Sequence, residues 1–146
     1  MNKDLEEITV VTLEQAVAAP YASGKLAQAG ARVIKIERHE GDFARNYDQD
    51  VKGLSAYFVW LNHGKQSVCL NIKDSKDLET LKNIISKSDI FIQNLMPGAT
   101  DRLGINSKKL RAKHPTLITC DISGYGQTGP YSKMKAYDLL IQAESG

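Results

Sequence analysis

ITVVTLEQAVAAPYASGKLAQAGARVIKIE, residues 8–37, decides the fold. ITVVTL (8–13) is a short apolar run rich in β-branched residues, which reads as a buried strand. RVIKIE (32–37) reads as a second strand, with apolar residues alternating with charged ones. The stretch between them is helical: Pro20 suits a first turn and Gly30 suits the stop. Two strands joined by a helix call for a right-handed crossover and parallel pairing.

The same pattern recurs downstream. SVCLNI (67–72) is a third strand. Asp74 is placed to cap the next helix, whose Leu78, Leu81, Ile84 and Ile85 share one face. IFIQ (90–93) is a fourth strand, and a short helix over 107–114 is stopped by Pro115. LITCD (117–121) is a fifth strand, and from Tyr137 another helix begins. The expectation is one α/β domain over residues 1–146, Rossmann-like, with a mostly parallel sheet and flanking helices. The exception is 38–56, a long polar stretch holding Gly41, Asp42, Arg45, Asp48 and Gly53. A loop this long in a compact domain is functional or flexible.

Composition excludes several classes. A chain of 146 residues with 25% charged and 42% hydrophobic residues describes a soluble globular domain. A net charge of +2 gives no case for nucleic acid, and the cluster Lys108, Lys109, Arg111 and Lys113 reads as a solvated helix face. No apolar run approaches the ~20 residues of a membrane helix. The acidic start, MNKDLEEITVV, lacks the apolar core of a signal peptide, so a cytoplasmic protein is expected. Cys69 and Cys120 lie in strand-like runs and read as buried free thiols of a reducing compartment. His39, His63 and His114 have no metal-ligand spacing and read as surface residues, so no metal is expected.

Ligands of an open parallel sheet bind beyond the carboxyl ends of its strands. That rule selects residues 14–19, 38–45, Lys73, 94–102 and 123–137. EQAVAAP follows the first strand where a dinucleotide site would carry GxGxxG, which argues against NAD despite the acidic Glu37 ending the second strand. Ala16, Ala18 and Ala19 permit close approach of a ligand, or simply let the helix pack tightly on the sheet. Arg38 directly follows the second strand; it can fork onto a phosphate or pair with Glu37 or Glu40. Pro97 and Gly98 make a turn. ISGYGQTGPY (122–131) holds three glycines and a proline in ten residues and reads as a loop. Ser123 is not a nucleophile elbow, because G-x-S-x-G is not present.

VIKIER (33–38), LNHGKQSVCLNIK (61–73), NLMPGATDRLGI (94–105), ISGYGQTGPY and KAYD (135–138) together resemble the first part of a family III CoA-transferase. That superfamily includes formyl-CoA transferase, carnitine CoA-transferase and α-methylacyl-CoA racemase. Asn62, Lys65, Ser67, Val68, Leu70 and Lys73 fit the family's N-x-x-K-x-S-V-x-L-D-L-K segment, while Gln66 and Asn71 depart from it. The resemblance implies coenzyme A or acyl-CoA as substrate, with no NAD. It implies that Gln15, Ala16, Val17 and Ala18 run along the pantetheine and thioester. Arg38 and Arg102 would contact phosphates, Leu70 and Lys73 the adenine end. Asn94 and Leu95 would line the coenzyme's path, with Lys135 and Tyr137 near the thioester. The racemase branch carries a catalytic histidine where this chain has Tyr137, which favours the transferase branch over an acyl-CoA racemase.

In relatives an aspartate attacks the acyl-CoA, giving a mixed anhydride and then an aspartyl-CoA thioester. The resemblance places that aspartate beyond Gly146, so no catalytic residue is assigned here. Asp138 suits capping of the last helix, and Asp121 a structural hydrogen bond. The expectation is a truncated CoA-transferase, inactive alone; the alternative is a non-catalytic CoA- or nucleotide-binding module. Relatives form intertwined homodimers, so a fragment is expected to expose apolar surface and self-associate. The sequence looks closest to members acting on short dicarboxylic acids such as itaconate, mesaconate or citramalate, with Arg45 holding a second carboxylate. Formyl, oxalate and carnitine substrates stay open.

Overall fold

The computed structural model describes residues 4–146; residues 1–3, where the acidic N-terminal stretch begins, lie outside the described residues. Five strands form one parallel sheet: β1 (Thr9–Leu13), β2 (Arg32–Glu37), β3 (Gln66–Cys69), β4 (Ile90–Gln93) and β5 (Ile118–Asp121), in the order β3-β2-β1-β4-β5. The helices are α1 (Ala18–Gln28), α2 (Ala56–Asn62), α3 (Ser75–Ile85), α4 (Ala99–Leu103), α5 (Ser107–Lys113) and α6 (Asp138–Ser145). This is the expected α/β architecture, and its strand order reverses between β1 and β4. No described helix is long and apolar enough to cross a membrane.

Both faces of the central strands are covered, as the near-continuous apolar run of β1 and the buried pattern of β2 show. On one face Val11, Leu13, Ile34 and Ile36 meet Leu81 and Ile85 of α3, with Phe91, Ile105, Leu110 and Leu117. On the other, Val10, Val33 and Ile92 pack with Ala19 and Ala31. Each large side chain fully buried here contributes roughly 1.5–3 kcal/mol. Asp74 caps α3 by accepting from the N–H groups of Lys76 and Asp77, and α3 presents the predicted stripe: Leu81 and Ile85 buried, Leu78 and Ile84 against the cluster. Gly30, at φ 105°, ends the α1 turn in a conformation glycine adopts without strain.

Four expectations change. The third strand stops at Cys69 rather than at Ile72, because the chain leaves the sheet at Leu70 and turns through the Asp74 N–H to Asn71 C=O bond. Two helices, α2 and α4, were not anticipated; both are short and anchored by tertiary contacts rather than by a long apolar period. Cys69 and Cys120 are free but exposed, not buried. They lie on β3 and β5, the two sheet edges, where covering elements are thin. Asp138 does not cap α6: Tyr137 is the capping residue without a side-chain bond, and Asp138 accepts from Gln142 one turn on. The polar stretch 38–56 is an ordered loop, not a free one. It holds a 3-10 turn (Phe43–Asn46), and Asp48 accepts from the N–H groups of Asp50 and Ala56 and from the Ser55 hydroxyl.

Candidate functional site

β1 and β4 run side by side, yet their next neighbours lie on opposite sides, and it is beyond the carboxyl ends at such a reversal that open parallel sheets bind ligands. Gln15 and Asn94, the second residue past β1 and the first past β4, meet there. The Gln15 N–H donates to Asn94 Oδ1 at 3.0 Å, and Asn94 Nδ2 donates to the Gln15 carbonyl at 2.8 Å. Thus two of the predicted residues, far apart in sequence, are reciprocally locked. Leu95 is held next to them: its N–H donates to Gln93 Oε1 at 2.7 Å, and its side chain packs on the core.

The β1–α1 turn has an uncommon backbone. Ala16 has φ 64°, a left-handed conformation that costs a non-glycine residue about 1–2 kcal/mol. Its N–H donates to Asp42 Oδ1 at 3.1 Å. Val17 precedes α1 as the capping residue, with no side-chain cap bond, and Ala18 opens the helix exposed. Ala19 is fully buried and packs the helix on the sheet, while Ala16 and Val17 are half-buried and Ala18 is exposed.

Beneath this turn lies a cluster of buried charges that the sequence reading did not single out as a unit. Lys35 Nζ donates to Asp42 Oδ2 at 2.6 Å and to Asn62 Oδ1 at 2.9 Å, and stands 3.9 Å from Glu14 Oε1. Lys65 Nζ donates to Glu14 Oε1 at 2.7 Å, to the Pro20 carbonyl at 2.9 Å and to Asn62 Oδ1 at 3.2 Å. Ser23 Oγ donates to Glu14 Oε2 at 2.7 Å. The side chains of Lys35, Lys65, Glu14 and Asp42 are each at most 2% exposed. Two cations against two anions leave the cluster neutral, which is how such groups survive burial. Burial pushes the Lys65 ammonium pKa down, while the Glu14 carboxylate pulls it back up; the net is below the usual lysine value. The available signals were Lys35 in the middle of a buried strand and the Asn62/Lys65 pair.

Arg38 projects from the end of β2, exposed, with Nε donating to the Gly41 carbonyl at 3.1 Å and standing 3.9 Å from Glu40. Its bland partner is therefore present, but the guanidinium retains donors toward solvent. Leu70 is buried at the sheet end, its N–H donating to the Glu37 carbonyl, and Lys73 is exposed in the following turn. Arg102 is exposed on α4 and lies back over the Pro97–Gly98 turn; a Cβ at Gly98 would stand 3.3 Å from its guanidinium. Lys135 and Tyr137 are both exposed. Tyr137 comes near the loop after β2: burial pushes the Tyr47 phenol pKa up, and Asp42 and Tyr137 add to that shift.

The expected role of Arg45 is corrected. Arg45 forks onto Glu37, Nε to Oε2 at 3.1 Å and NH2 to Oε1 at 2.9 Å, and lies 3.8 Å above the Phe58 ring. It is committed to its own chain. Glu37 also accepts from the Ser67 hydroxyl and the Asp42 N–H, so its carboxylate is saturated. Asp121 fills the expected structural role, accepting from Gln93 Nε2 and Ser107 Oγ. Among the described residues no group of three or more His, Cys, Asp or Glu side chains is arranged to hold a metal ion.

The comparisons with known proteins agree with one another. The profile of CoA-transferase family III matches residues 5–146. Acetyl-CoA:oxalate CoA-transferase of Acetobacter aceti is 40% identical over 140 residues, covering 95% of this chain and 36% of that enzyme. Succinyl-CoA:glutarate CoA-transferase of Homo sapiens is 36% identical over 146 residues, covering 99% of this chain and 33% of the human protein. A crystal structure of a CAIB/BAIF family protein from Brucella suis superimposes with a TM-score of 0.91 at 35% identity, over 99% of this chain and 39% of that one. The chain thus spans about a third of the length of the curated relatives it matches, and over that third it belongs to the family III CoA-transferases.

Proposed function

We propose that these 146 residues form the coenzyme-binding part of an enzyme that moves CoA from an acyl-CoA to a carboxylic acid. The observation that carries this reading is the Gln15–Asn94 lock at the strand-order reversal, with Arg38, Lys73 and Arg102 exposed on segments beyond the carboxyl ends of β2, β3 and β4. Cations are what a nucleotide phosphate end requires, and the small side chains of Ala16 and Ala18 would let a slender pantetheine arm approach the turn.

The nucleophilic carboxylate comes, on this reading, from outside residues 1–146. The carboxylates around the turn support it: Glu14, Glu37 and Asp42 are bound to cations, and Asp121 is bound by Gln93 and Ser107. An external aspartate would attack the acyl carbonyl and expel CoA as thiolate, leaving a mixed anhydride. The thiolate would then attack the aspartyl carbonyl of the anhydride and release the first acid. The acceptor acid would reverse both steps. For the acceptor we propose a short dicarboxylate; oxalate and glutarate, in the names of the relatives above, are of this class. With Arg45 committed to Glu37, a second carboxylate would be held elsewhere. An intertwined homodimer of the longer protein and a cytoplasmic setting belong to the same proposal.

Calorimetric titration of the 146-residue chain with CoA, and with NAD as control, tests the reading. CoA binds and NAD does not; Arg38→Ala, Lys73→Ala and Arg102→Ala each weaken CoA about tenfold. Equal binding of NAD, or no binding of CoA, would reject this chain as a coenzyme half-site.

A further inference from the structure

Lys35 is out of place by ordinary rules. It lies within β2, opposite Thr12 of β1, and is 1% exposed. Lysine is almost never fully buried, and an apolar residue at such a position is often as stable or more so. Stability alone therefore does not account for it. Its contacts do: Nζ passes 5.3 Å from the Phe58 ring and ends on Asp42 Oδ2 and Asn62 Oδ1. Asp42 then uses its second oxygen, Oδ1, to accept from the N–H groups of Ala16 and Ala44. Ala16 is the residue held at positive φ, a conformation that persists only where its surroundings over-determine it.

We infer that Lys35 is a positioning residue for the β1–α1 turn: acting through Asp42, it fixes the direction of the Ala16 N–H and so the surface that the turn presents to a coenzyme. Lys35 itself touches no ligand. Removing its charge leaves the buried Asp42 carboxylate without the cation it contacts. The carboxylate then takes up a proton or turns away, and Ala16 loses the acceptor that holds it left-handed. The Gln15–Asn94 lock remains, so the turn stays attached but its middle relaxes.

The affinity arm of the test rests on the proposed coenzyme reading; the amide arm does not. Hydrogen exchange of the Ala16 N–H is followed in the ¹⁵N-labelled chain, alongside calorimetry with CoA. Lys35→Met speeds Ala16 exchange and weakens CoA, each by about tenfold. The double variant Lys35→Met/Asp42→Asn removes both charges but keeps an oxygen acceptor for Ala16, and it recovers most of both losses. Leu81→Ala, which opens the core on the opposite face, leaves both values near the parent's in conditions where it is folded. The inference is overturned if Lys35→Met keeps Ala16 protected, or if Leu81→Ala loosens Ala16 to the same degree. It is also overturned if the double variant is no better than the single one. Failure of the parent chain to bind CoA would reject the coenzyme reading, while Ala16 exchange would still decide whether Lys35 sets the turn.

Discussion

The loops after β1 and β2 and the segment after β5 all follow the carboxyl ends of strands of the parallel sheet, and they are built in opposite ways. The first pair is filled from beneath by Lys35, Lys65, Glu14 and Asp42, each charge satisfied by neighbours from other segments. The second has few anchors. Leu139 is 77% exposed and Tyr137 62%, and no residue of α6 is buried. The segment is tied to the sheet at its start, where the Ile122 N–H donates to the Gln93 carbonyl, and it folds on itself through Tyr125, which donates to Glu144, and Gly124, where a Cβ would stand 2.3 Å from the Ala136 Cβ. The β1 and β2 loops are held by buried charge pairs within this chain, whereas the last segment leaves Tyr131, Met134, Tyr137, Leu139 and Leu140 exposed.

Substituting equivalent residue types on the two sides gives the sharpest test of that contrast. Lys65→Met leaves Glu14 buried without its closest cation and costs about 3 kcal/mol in urea unfolding; Lys135→Met, on the exposed side, stays within about 0.5 kcal/mol. Equal costs would erase the distinction.

A smaller effect is expected from pH. Burial raises the Glu37 pKa, but the Arg45 and Ser67 hydrogen bonds, with the charges of Arg45 and Lys35, outweigh it and hold the carboxylate below its usual value. A lowered folded-state pKa means that the unfolded chain binds the proton first. The stabilisation is therefore complete above the ordinary glutamate range and is lost as pH falls through the folded value. The thermal midpoint of the parent chain drops on acidification below about pH 5, and Arg45→Gln shrinks that drop. An unchanged pH profile would show that the Glu37–Arg45 fork does not hold the loop after β2.

The smallest effect belongs to Thr12, whose buried hydroxyl has no hydrogen-bond partner. Thr12→Val keeps the shape and removes the unmet group, so stability rises slightly, by about 0.5–1 kcal/mol. A loss of stability would mean that the hydroxyl has a role beside the Lys35 cluster.

By itself the sequence determined the layered fold, because period and punctuation are local: ITVVTL and RVIKIE flank a helix, Asp74 precedes an apolar stripe, Pro115 ends α5. It also carried the outline of the candidate site, since ligands of such sheets gather at strand ends and those ends can be found from the strands alone. Tertiary structure decided what the polar residues do. The place of Lys35 in the middle of RVIKIE hints at burial, whereas Arg32 opens the strand and is exposed; the partners that make the burial possible, Asp42 and Asn62, arrive from other segments. The fate of Arg45 followed from Glu37 and Phe58, and that of the two cysteines from β3 and β5 falling at the sheet edges. Apolar burial is legible residue by residue because it needs only a dry neighbour. A buried charge needs a particular partner at a particular distance, and only the folded chain supplies that.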